Sequence, residues 1–330
     1  MPEPVERPRE HPRTEPWARR GRIGHTDVTA VVDFTGRLRR LDYRHGGGRC
    51  RDAAVARLPA ARALLGLHVA DDVLGPLCTA VADLHNLAGW ACFDTGAVDE
   101  ALVHFGVALE VAALGGDRVL LSNIHYRRGR VRLHHDSPEQ ALAEFRLGER
   151  AAGAGGSALA LAVTGANQAW ARARLGDEGA ALALLAGARD DFAGARGEPV
   201  PAWAAFFTAA DLSAMTGVVH TELARSVDPR HVESAVPALV AALDGYGPDM
   251  ARSRAFTLIS LATCLFIDEQ VERAVAVGEQ VLDLCRGLAS VRTAARLRPL
   301  RDEAARRRGD ADARALARRI SAFRPEAGPV

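Results

Sequence analysis

Across 330 residues the 42 basic positions are all arginine and are balanced by 41 acidic ones, for a net charge of +1. That balance excludes a field able to recruit nucleic acid or an anionic membrane by charge alone. Hydrophobic residues make up 48% of the chain and aromatics only 5%, so a large core must be packed mainly by alanine and aliphatic side chains, with backbones in close approach. The absence of lysine beside abundant arginine and alanine points to GC-rich coding rather than to chemistry.

In chain order, residues 1–24 carry Pro2, Pro4, Pro8, Pro12 and Pro16 among mixed charges and predict a disordered arm. Residues 25–78 read as an N-terminal helical cap. There Asp27 is the expected N-cap of a helix whose Val28, Val31, Val32, Thr35, Leu38 and Leu41 recur at helical spacing. Gly46-Gly47-Gly48 lacks both a preceding strand and a following Gly-Lys-Ser/Thr, so it reads as a helix connection rather than a phosphate loop. A second helix is expected over about 50–65, and a third after Asp71-Asp72, with Pro76 in its first turn.

Residues 79–330 read as a repeat solenoid. Gly96, Ala101, Phe105 and Ala108 recur as Asp136, Ala141, Phe145 and Gly148, and again as Gly176, Ala181, Leu185 and Ala188. A constant period of this size marks stacked helix pairs, each burying its apolar face against its neighbours. First helices are expected near 79–94, 118–134 and 158–174. The next are Trp203 to Met215 with a short partner at Val218 to Arg225, then Ser253 to Ile267 with Val271 to Leu284. The last pair, 290–308 and 311–323, is rich in arginine, as the solvated face of a terminal repeat would be.

The pattern resembles the tetratricopeptide repeat, and the fold class it implies is all-α, a tetratricopeptide-like helix-pair solenoid. That family's period is about 34 residues, so the additional residues here are expected in longer turns such as Leu114-Gly115-Gly116-Asp117. From Gly24 onward the order of features also resembles the C-terminal half of actinobacterial Xre-type helix-turn-helix regulators. The residues that carry this likeness are Gly24-His25-Thr26-Asp27-Val28, Leu41-Asp42-Tyr43-Arg44-His45-Gly46-Gly47-Gly48, Asp83-Leu84-His85-Asn86-Leu87-Ala88-Gly89-Trp90 and Ala251-Arg252-Ser253-Arg254. In that family this half is taken to sense a ligand or partner and to mediate assembly. Residues 1–24 are too few and too rich in proline for a helix-turn-helix, so DNA binding is not carried over.

No catalytic motif is present: no GxSxG, no HExxH, no phosphate-binding glycine loop. His134-His135-Asp136 falls at a repeat turn and reads as a solvated turn rather than a metal cluster, and no cofactor is expected. Cys50, Cys78, Cys92, Cys264 and Cys285 form no CxxC pair and read as reduced core residues. With no long apolar span or signal core, the expected location is the cytoplasm. In a helix-pair solenoid the first helices line a concave groove. The residues expected there are Asn86, Trp90 and Phe93 from the first repeat, Tyr126 and Arg130 from the second, and Asn167 and Trp170 from the third, alongside Asp83 and Asn123. Amides, one fixed cation and large rings suit a protein or peptide partner, or an acidic small ligand.

The function expected is therefore a non-enzymatic regulatory scaffold, in transcription or in developmental or secondary-metabolism control, able to form a homodimer. The alternative is DNA contact through Arg306, Arg307, Arg308, Arg314, Arg318 and Arg319, which Asp302, Glu303, Asp310 and Asp312 oppose. An enzyme with a solenoid pocket is the remaining reading.

Overall fold

The computed structural model describes residues 22–247, 249–288 and 290–324, and within them the chain is all-helical apart from one isolated bridge between Ile23 and Val69. Most of the proline-rich arm lies outside the described residues. Its last part does not stay free: Ile23 is 1% exposed and its N–H donates to His68 O at 3.1 Å. The helix order is α1 His25–His45, α2 Arg51–Leu64, α3 Asp71–Asp94, α4 Val98–Leu114, α5 Arg118–His134, α6 Pro138–Gly155, α7 Ala158–Arg174 and α8 Glu178–Gly194. Then come α9 Ala209–Ser226, α10 Val232–Gly245, α11 Ala251–Ile267, α12 Val271–Arg286, α13 Arg292–Arg296, α14 Arg298–Arg306 and α15 Ala311–Ala322. No described helix is long and apolar enough to cross a membrane.

The repeat is visible atom by atom. Ala101, Ala141 and Ala181 are all 0% exposed, one in the first turn of each second helix, where it meets the preceding helix. A Cβ added to Gly129 would lie 2.3 Å from Phe145 Cε1, and one added to Gly89 2.9 Å from Phe105 Cε1. The third copy solves the same crossing differently: Leu185 stands where the others carry phenylalanine, and the facing position is Ala169. The smaller side chain on one helix leaves room for a Cβ on the other, as close packing requires. The tight turn after each first helix needs one residue in the left-handed region, and Gly96 (φ 89°), Asp136 (φ 53°) and Gly176 (φ 73°) supply it. Aspartate is among the few non-glycine residues that tolerate it.

Several boundaries differ from the sequence expectation. The added length of the period lies in the helices, not the turns: α4, α5, α7 and α8 each have 17 residues, and the links between them are short. α1 begins at His25 with Gly24 as its cap, while Asp27 sits one turn in and accepts the Gly24 N–H at 3.0 Å. α3 runs unbroken through residue 79, so the cap and the first repeat share one helix. The expected pair at 203–225 is a single helix, α9. Thr208 and Asp211 form a reciprocal capping box at its start, and Trp203, Phe206 and Phe207 precede it as a loop. The expected 290–308 helix is broken into α13 and α14, with Pro299 in the first turn of α14.

α3, α5, α7, α9 and α11 stand side by side, and α1 packs against both α3 and α11. The chain thereby closes on itself, because the first helix touches the eleventh.

Candidate functional site

The closure is made by charged side chains taken out of water. Arg39 on α1 gives Asp83 on α3 a two-pronged contact, both oxygens at 2.7 Å. Arg252 on α11 reaches Asp42 on α1 at 3.1 and 3.0 Å and Asp94 on α3 at 3.1 Å. Asp94, 0% exposed, is the centre of the arrangement. It accepts from Gly47 N at 2.6 Å, from Ser290 Oγ at 2.6 Å, and from Arg292. The glycine triplet thus does cradle an anion with its backbone N–H, but the anion is the chain's own carboxylate. Gly47 is required there, since a Cβ would sit 2.7 Å from Asp94 Cβ. Burial alone would raise the Asp94 pKa, but Arg292 and Arg252 outweigh it and hold it below the ordinary carboxylate value.

Inside the closed solenoid lies a chamber of about 140 Å³ bounded by Trp90, Tyr126, Arg130, Phe206, Met215 and Arg296, among others. Tyr126 stacks on Phe206, centroids 5.6 Å apart. Three guanidiniums facing this space have no carboxylate partner among the described residues. Arg127 donates to Asn86 O at 2.8 Å and lies over Trp90 at 5.2 Å. Arg130 donates to Tyr126 Oη at 3.3 Å and Asn167 Oδ1 at 3.4 Å, and stacks on Trp170 at 4.9 Å. Arg296 lies over Trp170 at 4.6 Å and Phe256 at 5.1 Å. Burial, followed by repulsion from Arg130, pulls the Arg296 pKa down to about 9, and burial with repulsion from Arg39 pulls Arg127 down to about 10. Both remain charged at neutral pH, in a place that disfavours the charge. The one acid on the chamber wall outside the closing pairs, Asp211, is engaged in the α9 cap and accepts from Tyr246 Oη at 3.4 Å.

Arg296, together with Val218 and Phe256, also borders a second space of about 200 Å³ toward α5, α7 and α14. Its acids are engaged: Trp170 Nε1 donates to Glu222 at 3.3 Å, Arg225 pairs with Glu222 at 3.2 Å, and Arg174 pairs with Asp136. His134 is half-buried between Phe93, 5.3 Å from its ring centroid, and the guanidiniums of Arg292 and Arg296, whereas His135 and Asp136 are exposed, as a solvated turn requires.

Of the seven residues expected on the concave face, Trp90, Tyr126, Arg130 and Asn167 border the first space and Trp170 the second. Asn86 and Phe93 border neither. Asn86 is 0% exposed and donates to Asn123 Oδ1 at 3.0 Å, and Phe93 is 2% exposed beneath Arg292, 5.0 Å from its ring centroid. Asp83 and Asn123 are spent on Arg39 and Asn86. The expected open groove is also filled: α13 runs through it, Arg292 lying over Trp90 at 4.4 Å. Arg292 and Arg296, read from sequence as a solvated terminal face, are interior, whereas Arg306, Arg308, Arg314, Arg318 and Arg319 are exposed. Of these, Arg306 pairs with Glu303 at 2.8 Å and Arg319 with Glu279.

Sequence reasoning passed over Asp42, Asp94, Arg127, Arg252, Arg292, Arg296 and Phe206. Asp42 and Arg252 stood inside the motifs that carry the family likeness, which was the available signal. Nothing local marked Asp94 or Arg296. No protein-family model and no curated protein matches the chain.

Proposed function

We propose that this chain is a non-enzymatic ligand-binding scaffold whose interior chamber takes a compact anion carrying a ring, such as an aryl carboxylate. The observation that carries this reading is the set of three guanidiniums, Arg127, Arg130 and Arg296, lying over aromatic rings around one space with no carboxylate in contact with them among the described residues. An isolated cation taken out of water is costly; Arg127 is buried and Arg130 and Arg296 are half-buried, and a bound carboxylate would relieve them through charge-assisted hydrogen bonds. Size decides between a compact and an extended ligand. A space of about 140 Å³ matches the cavity of about 150 Å³ that accepts benzene, and α13 stands where an extended peptide would lie. The regulatory part of the reading rests on the likeness to Xre-type regulators.

The test is extraction. Wild-type chain purified from its native cells and denatured should release a stoichiometric anionic small molecule, identified by mass spectrometry. An Arg130→Ala/Arg296→Ala variant, folded by circular dichroism, should release none. Equal release from both would remove the chamber from consideration.

A further inference from the structure

On the α3–α4 pair, away from the chamber, Cys92, Glu100 and His104 bring a sulfur, a carboxylate oxygen and a ring nitrogen all within 4.8 Å of one another. Cys92 lies in the last turn of α3. Glu100 and His104, four residues apart on α4, share a helix face, and the short turn at 95–97 folds that face back over Cys92. We propose that this trio is a site for zinc or a similar borderline-soft divalent cation, held by Cys92 Sγ, Glu100 Oε1 and His104 Nε2, with water as the fourth ligand.

The surroundings are arranged as partners of metal ligands are. Arg51 donates to Glu100 Oε2 at 2.6 Å, which fixes the carboxylate and leaves Oε1 facing His104 Nε2 at 3.9 Å. His104 Nδ1 meets His85 Nδ1 at 3.3 Å, so one ring must donate to the other. With His104 as donor, its Nε2 presents a lone pair to the trio. That Nε2 is buried and has no hydrogen-bond partner, an unmade contact that a metal would complete. A ligating histidine whose second nitrogen is held by a hydrogen bond is the usual arrangement in zinc sites. Cysteine, histidine and glutamate are zinc's ordinary ligands, and one thiolate with one carboxylate neutralises a divalent ion. On binding, the Cys92 thiol loses its proton to solvent. Burial pushes that thiol up to about 11, while the hydrogen bond from Arg51 acts in the opposite direction.

Packing does not demand these residues. The same positions carry Arg132, Gln140 and Glu144 in the second repeat, and Arg172, Ala180 and Leu184 in the third. Access is open as well, because the Glu100 side chain is 36% exposed.

Cobalt(II) titration of the full, chelator-treated chain reads the thiolate directly. The expected result is a single saturable equivalent with a sulfur-to-cobalt charge-transfer band, which added zinc abolishes and which Cys92→Ser lacks. Because Cys92 is fully buried and its replacement could unfold the helix pair, Glu100→Gln serves as the second variant. It is partly exposed, should leave the circular dichroism unchanged, and should weaken cobalt binding about tenfold or more, the scale that even outer partners of metal ligands carry. Absence of saturable cobalt binding to the folded wild type would overturn the site, leaving Arg51 as the only cation Glu100 holds. So would a charge-transfer band that survives Cys92→Ser, or an affinity unchanged in Glu100→Gln.

Discussion

Arg252 and Asp42 lie 210 residues apart and are joined by hydrogen bonds of 3.1 and 3.0 Å. The contact ties the eleventh helix to the first, so an array that could have remained an open spiral is closed. Arg252→Glu would place a third carboxylate beside Asp42 and Asp94 and reverse the attraction. Small-angle scattering should then show a larger radius of gyration than the wild type, with helicity retained. Superimposable scattering curves would mean that the closure does not depend on this pair.

Asp94 carries more of the closure than any other residue, because both Arg252 and Arg292 depend on it. Asp94→Ala leaves two buried guanidiniums short of a partner and should cost about 3–5 kcal/mol, the usual consequence of breaking a buried pair from one side. Urea unfolding measures it. The pH dependence follows from the depressed pKa. The folded value lies below the unfolded one of about 3.9, so the contribution is complete above that pH and is lost as pH falls through the lower folded value. Asp94→Asn should remove this acid-sensitive component.

Histidines set a second, milder acid limit. Burial, then repulsion by Arg292 and Arg296, lowers the His134 pKa to about 3, and burial lowers His85 and His220 to about 4 each. The unfolded chain takes up these protons near pH 6.5 while the folded chain does not. Stability is therefore full above about 6.5 and declines as pH falls from there toward 4, by on the order of 1 kcal/mol per pH unit for His134. His134→Phe, which keeps a ring against Phe93, should flatten that part of the profile. An unchanged slope would assign it to the other two.

The helix crossing offers a test of packing inside the repeat. Gly129→Ala drives a methyl group into Phe145 and should destabilise by about 1–3 kcal/mol. Gly129→Ala/Phe145→Leu reproduces the Ala169–Leu185 solution of the third repeat and should recover most of the loss. No recovery in chemical unfolding would show that the two positions are not coupled in this way.

Why the fold could be read and the site only partly follows from the range of the interactions. Ala101, Phe105, Gly129 and Phe145 meet within one helix pair, so their chemistry repeats at a fixed interval and is written locally. Trp90, Tyr126, Arg130 and Trp170 lie on the first helices of those same pairs, which is why they could be named. Arg292 and Arg296 reach the chamber from the other end of the chain. Taken alone, they look like any arginines on a terminal helix. What makes them interior is the break into α13 and α14 and the anchor on Asp94, nearly two hundred positions away. Asn86 was misplaced for a related reason: its helix turn is right, but Asn123 and Arg127 cover it. Phe206 was hidden because a run of apolar residues reads as helix, whereas Thr208 and Asp211 start α9 after it.

The central claim, that the chamber recognises negative charge joined to a ring, is tested most directly by calorimetric titration of the full chain with benzoate and with benzamide. The two probes are nearly equal in shape, and only benzoate is an anion. The account predicts saturable benzoate binding, at least tenfold tighter than benzamide. In Arg130→Ala, melting near the wild-type temperature, the affinity should fall by about 1–3 kcal/mol, as loss of a charge-assisted hydrogen bond would bring. Equal affinities for the two probes, or benzoate binding untouched by Arg130→Ala and Arg296→Ala together, would contradict it.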